Sequence, residues 1–142
     1  MRFCRMGSIN QIISSIMYTV FNQFFDYLRY RSAVRKADKA HEETGERYYV
    51  MPSSGYDRKL LIMDRNNFRK LKQKGYINRN ANQRDMLQEC FYCTAYRNGD
   101  GYLDAKGRRI KLQLYFSWCK IQRMLKKIKK EENRKKKDGK GK

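Results

Sequence analysis

Arg47-Tyr48-Tyr49-Val50-Met51 and Lys59-Leu60-Leu61-Ile62-Met63 are two runs of bulky apolar and aromatic residues, with Pro52-Ser53-Ser54-Gly55 between them. Side chains of this kind suit a pleated strand, and Pro, Ser and Gly supply turn chemistry. The spacing predicts a β-hairpin within Gly45–Asp64. Most other apolar residues recur at helical intervals. The expected fold class is therefore α+β, a small domain of short β-hairpins packed with helices.

Working outward, Asp64 reads as the N-cap of a short helix from Arg65 to about Lys74, with Phe68 and Leu71 inward and Gly75 ending it. Asn78 to Asn82 is a polar connector, and a third helix is expected from about Gln83 to Tyr92 through Leu87, Cys90 and Phe91. Tyr102-Leu103-Asp104 and Arg108-Arg109-Ile110, on either side of Ala105-Lys106-Gly107, predict a second, short hairpin.

A long amphipathic helix is expected before the hairpin, from Ser8 as N-cap to Thr44, with Gly45 just beyond it. Ile9, Ile12, Ile13, Ile16, Met17, Val20, Phe21, Phe24 and Leu28 form a wide stripe, continued by Tyr30, Val34, Ala37 and His41. Such a helix would span about 55 Å at 1.5 Å per residue, so one half should protrude or find a partner. Its stripe suits self-association better than a bilayer span, because nine of the twenty residues Met6–Phe25 are Gly, Ser, Asn, Gln or Thr. After the domain, a basic C-terminal helix is expected over about Lys111–Glu132, with Leu114, Trp118, Ile121, Leu125 and Ile128 as its apolar seam. Asn133–Lys142 has no apolar residue and is expected to be a disordered basic tail. The chain thus divides into 1–44, 45–132 and 133–142.

Charge points to the partner. The 142 residues carry 34 Lys and Arg against 14 Asp and Glu, net +20, and the stretch from Lys106 to Lys142 alone is net +13. A solvated helix face usually mixes signs, whereas Lys120–Lys142 carries twelve basic residues against three acidic ones, so a polyanion is implied. Lys120, Arg123, Lys126, Lys127, Lys130, Arg134, Lys135, Lys136 and Lys137 are the candidate phosphate contacts.

Signatures of chemistry are missing or incomplete. Cys90-Phe91-Tyr92-Cys93 is one C-x2-C pair, and a zinc site would need Cys119 and the single His41, both distant in sequence. No metal or other cofactor is expected. Asn98-Gly99-Asp100-Gly101 resembles part of a calcium loop, but the first and twelfth positions would be Tyr96 and Gly107, which cannot ligate as that loop requires. No phosphate-binding glycine loop, nucleophile elbow or metalloprotease motif occurs. Tyrosines interleave with cations at Arg47-Tyr48-Tyr49, Tyr56-Asp57-Arg58-Lys59 and Tyr96-Arg97, where bases could stack, although strand tyrosines commonly pack half-buried. Four cysteines are too few for a disulfide scaffold and no cleavable leader fits, so a reducing cytoplasm is expected.

Thr44-Gly45-Glu46-Arg47-Tyr48-Tyr49-Val50, then Met63-Asp64-Arg65, Phe68-Arg69-Lys70-Leu71-Lys72, Gly75-Tyr76-Ile77 and Cys90-Phe91-Tyr92, resemble small basic proteins of gut-bacterial phages and mobile elements. The likeness covers about half the chain and brings no site residue with it. It implies an accessory or virion-associated role rather than a metabolic enzyme. The expected function is non-enzymatic, largely sequence-independent nucleic-acid binding, to DNA or RNA. The alternatives are a peripheral membrane protein anchored by its N-terminal helix at an anionic surface, and a structural or assembly protein that forms a homo-oligomer.

Overall fold

Val50 is fully buried between neighbours on both sides of its strand, and that position organises the molecule. The structure is a computed structural model that describes residues 2–141, with side chains from Ile9 to Gly141. It contains α1 (Arg2–Thr44), β1 (Tyr49–Pro52), β2 (Leu60–Met63), α2 (Arg65–Gln73), α3 (Gln83–Glu89), β3 (Tyr92–Cys93) and α4 (Ala105–Lys140). This is an α+β architecture. The sheet is antiparallel, in the order β2-β1-β3, with Tyr49 opposite both Met63 and Cys93 and Val50 opposite both Ile62 and Tyr92.

Strand alternation sorts the core into two layers. Tyr49, Met51, Met63 and Cys93 face Phe68 of α2 and Met86 of α3. Val50 and Tyr92 face Tyr30, Ala33 and Ala37 of α1 and Tyr115 and Cys119 of α4. A central strand covered on both faces needs continuous rather than alternating apolar residues, which is why Tyr48–Met51 reads as an unbroken run. Each fully buried large side chain here contributes roughly 1.5–3 kcal/mol.

The helix boundaries follow local chemistry. Asp64 caps α2 by accepting from the Asn67 amide at 2.7 Å. Asn82 and Asp85 form a reciprocal capping box at α3. Gly45, at φ 75°, closes α1 with its amide on the His41 carbonyl at 2.7 Å.

Several sequence expectations are corrected. The α1 helix begins at Arg2, so Ser8 lies inside it and is not its N-cap. The third helix stops at Glu89 instead of Tyr92, because the free edge of β1 captures the next residues. Phe91 donates to the Val50 carbonyl and Thr94 to the Tyr48 carbonyl, each at 2.9 Å. The second hairpin is not formed. Asp104 accepts from the Gly107 amide at 2.6 Å and caps α4, so Arg108-Arg109-Ile110 is helical. Asn98–Gly101 is a turn, with Gly99 and Gly101 at φ 87° and 76°. The tail expected to be disordered continues α4 as helix to Lys140. Lys, Arg and Glu are good helix formers, and Glu131 and Glu132 stand four residues before Lys135 and Lys136, a spacing that supports the helix.

Candidate nucleic-acid interface

The basic helix acquires its position from one buried carboxylate. Asp26 of α1 is 2% exposed and receives Arg123 Nη2 on Oδ2 at 2.5 Å and Arg58 Nη1 on Oδ1 at 3.2 Å. The Asp26 carbonyl accepts from the Tyr115 hydroxyl at 2.7 Å, and Arg123 also donates to the Asn22 carbonyl at 3.3 Å. Tyr115 stacks against Tyr30, Phe91 and Trp118 around this point. Burial and the Cys119 thiol push the Tyr115 hydroxyl far above its ordinary range, so it remains a donor. Because Tyr115 meets Asp26 and Tyr30 while Arg123 meets Asn22, α1 and α4 run antiparallel. Both then leave the domain in one direction, α1 by its first half and α4 by its second.

Arg123 is therefore a structural cation, half-buried in an ion triad, and is withdrawn from the set of phosphate contacts. The reason is a partner 97 positions away in sequence. Lys120, Lys126, Lys127, Lys130, Arg134, Lys135, Lys136 and Lys137 are all exposed, and among the described residues none of them forms an ion pair. At about 100° per residue, Lys126, Lys127, Lys130, Arg134 and Lys137 share an arc of about 100°. That arc continues the line of Tyr115, Cys119 and Arg123, the face that packs on the domain upstream. Lys120 lies at its edge. Lys135 and Lys136 fall outside it. Lys129, absent from the sequence-based set, is exposed and holds its ammonium 5.0 Å from the Tyr56 ring centroid.

The seam predicted for α4 is also corrected. Leu114, Ile121, Leu125 and Ile128 are exposed, and of that seam only Trp118 is half-buried. The domain instead selects the Tyr115–Cys119 face, whose hydroxyl finds the Asp26 carbonyl. The stacking tyrosines divide similarly. Tyr49 is buried and unavailable to bases and Tyr48 is half-buried, whereas Tyr56 and Tyr96 are exposed, Tyr96 with the Arg47 guanidinium carbon 4.2 Å from its ring centroid.

On the other side of the sheet Arg47 donates to Cys93 Sγ at 3.1 Å and to the Gly101 carbonyl at 2.9 Å. The neighbouring Cys90 thiol, together with this guanidinium, pulls the Cys93 thiol down to about 6, while Cys90 moves up. Both cysteines are buried, and Cys93 is sealed against the Arg47 guanidinium. Cys119 belongs to the opposite layer of the core, and His41 faces the Glu46 carbonyl at 2.7 Å. Among the described residues no group of three His, Cys, Asp or Glu side chains is placed to hold a metal ion. No helix among the described residues is long and apolar enough to cross a membrane. No protein-family model matches the chain, and neither a curated protein nor a solved structure matches it.

Proposed function

We propose that this is a non-enzymatic nucleic-acid-binding protein whose second half of α4 docks on phosphates. The observation that supports the reading is the cationic arc of Lys126, Lys127, Lys130, Arg134 and Lys137, edged by Lys120 and Asp138, on a helix extending past the domain. Residues three and four apart on a helix lie about 5–6 Å apart at Cβ, so long basic side chains there reach successive phosphates along a backbone. Holding the cations in a helix lowers the ordering cost of binding relative to a loose tail. No base-reading motif accompanies the arc, so contact is to the backbone and largely sequence-independent.

Six contacts give a slope of about −5.4 in log affinity against log salt on duplex DNA, a loss of roughly 10³-fold between 50 and 200 mM. Fluorescence anisotropy with a labelled 30-base-pair duplex measures it. Replacing Lys126, Lys127, Lys130 and Arg134 together with Gln leaves two contacts, a slope near −1.8 and a loss of only about tenfold over the same range. A wild-type slope near zero, or a slope unchanged in the variant, overturns the assignment.

A further inference from the structure

The first half of α1 is the largest feature that the nucleic-acid reading leaves unused. Ile9, Ile12, Ile13, Ile16, Met17, Val20, Phe21, Phe24 and Phe25 are each at least half exposed, with Leu28 close behind. Placed at about 100° per residue, these side chains sweep roughly 220° of the helix. The polar remainder, Gln11, Ser15, Thr19, Asn22 and Asp26, is the side that continues onto α4. Thr19, Asn22 and Gln23 line a cleft there with Lys120 and Lys127. The apolar arc accordingly points away from the protein.

We infer that this arc is a docking surface for an anionic lipid bilayer, in which α1 lies along the interface without crossing it. Three observations select this occupant. First, no charged residue occurs from Met6 to Phe25, and the midline of the arc, through Ile13, Val20, Phe24 and Leu28, then continues into exposed Arg31 and Arg35. Apolar side chains that enter the acyl boundary are thus followed, on the same face, by guanidinium groups at headgroup level. Second, the arc is wider than the roughly 100° stripe that one neighbouring helix covers, and it suits immersion. Third, a second copy would bring together two chains of net +20, whereas an anionic surface complements them.

The test is flotation of the full chain, freed of nucleic acid by nuclease and a high-salt wash. The vesicles are of phosphatidylcholine with 30% phosphatidylglycerol, or of phosphatidylcholine alone. Wild type should float with the anionic vesicles. Ile13→Ser, Val20→Ser and Phe24→Ser combined should lower partitioning by about a hundredfold or more. These positions are exposed, so the circular dichroism spectrum and the affinity for duplex DNA should stay unchanged. Arg31→Gln with Arg35→Gln should weaken the preference for anionic over neutral vesicles by about tenfold or more. The inference is overturned if wild type does not float, or if the triple-serine variant floats as well as wild type. It is equally overturned by a vesicle-free oligomer that the serine variant dissociates while lipid binding is absent, which would assign the arc to a second copy. Loss of DNA binding in the α4 variant with flotation retained would separate this surface from the nucleic-acid reading.

Discussion

Removing the Asp26 carboxylate should be among the most damaging single changes available in this protein. Asp26→Ala leaves Arg58 and Arg123 without their counter-charge, at side-chain exposures of 23% and 19%. Losing one member of a buried ion cluster costs about 3–5 kcal/mol. Partial exposure lets both guanidinium groups recruit some water, which places the expected loss near the lower bound, about 3 kcal/mol. For a domain of this size each kcal/mol is worth about 3 °C, so thermal unfolding followed by circular dichroism should show a midpoint about 10 °C lower. Replacing all three together, Asp26→Leu with Arg58→Met and Arg123→Met, removes charge and counter-charge alike. It should recover most of the loss, since well-packed apolar substitutes for a buried ion cluster are often neutral. Arg58 adds a second check, because it holds φ at 59°, the left-handed region that costs a non-glycine residue roughly 1–2 kcal/mol. Arg58→Gly should therefore be milder than Arg123→Ala. A midpoint within 3 °C of wild type for Asp26→Ala, or a triple variant worse than the single, would refute the view that the triad fixes α4 to α1.

Tyr92 donates to Asp38 Oδ1 at 2.6 Å, so Tyr92→Phe should lower stability in urea unfolding by about 1.5–3 kcal/mol, as for a hydrogen bond to a charged group. Cys93 titrates in the folded protein near 6 against an ordinary value of 9.0, so its thiolate stabilises the fold above pH 9 and that contribution is lost as pH falls toward 6. The difference in thermal midpoint between wild type and Cys93→Ala should consequently widen from pH 6 to pH 9, and a pH-independent difference would contradict the Arg47–Cys93 contact. Burial should nevertheless keep Cys90 and Cys93 unreactive toward iodoacetamide until the protein unfolds, which mass spectrometry of the alkylated native protein checks. A chelator should leave the thermal midpoint where it is, and zinc at one equivalent with unfolding on its removal would show that the cysteines had been misread.

The parts of the fold visible in the sequence are those fixed by neighbouring residues. The Asp64 cap, the Gly45 and Gly75 stops and the start of α3 each depend on side chains within four positions of one another, and the hairpin joins strands no more than fourteen positions apart. What escaped depends on distant ones. Tyr92 looks like the end of a helix by periodicity and becomes part of a strand because β1 offers an unpaired edge. Asp104 was legible as a cap, yet β-prone Tyr102 and Ile110 around a glycine suggested a turn with equal local force. On α4 the spacing of Leu114 to Ile128 describes one apolar face and that of Tyr115 and Cys119 another. Only the position of Asp26 decides between them. The same carboxylate explains why Arg123, indistinguishable from its basic neighbours in the sequence, is held in an ion pair while, among the described residues, they are not.

The contact between Asp26 and Arg123 also dictates when the molecule can be completed during synthesis. The hairpin and α2 are local and can form as soon as they leave the ribosome, but the layer containing Tyr30, Ala33, Ala37 and Phe91 stays uncovered until Tyr115 and Cys119 arrive. Throughout that interval the nascent chain presents both this bare layer and the apolar first half of α1. Closing so long a loop comes late and is slow relative to local steps. A message truncated ahead of α4 would release a product without its lid, exposed to chaperones and proteases. The basic helix is thus also the latch that covers this layer.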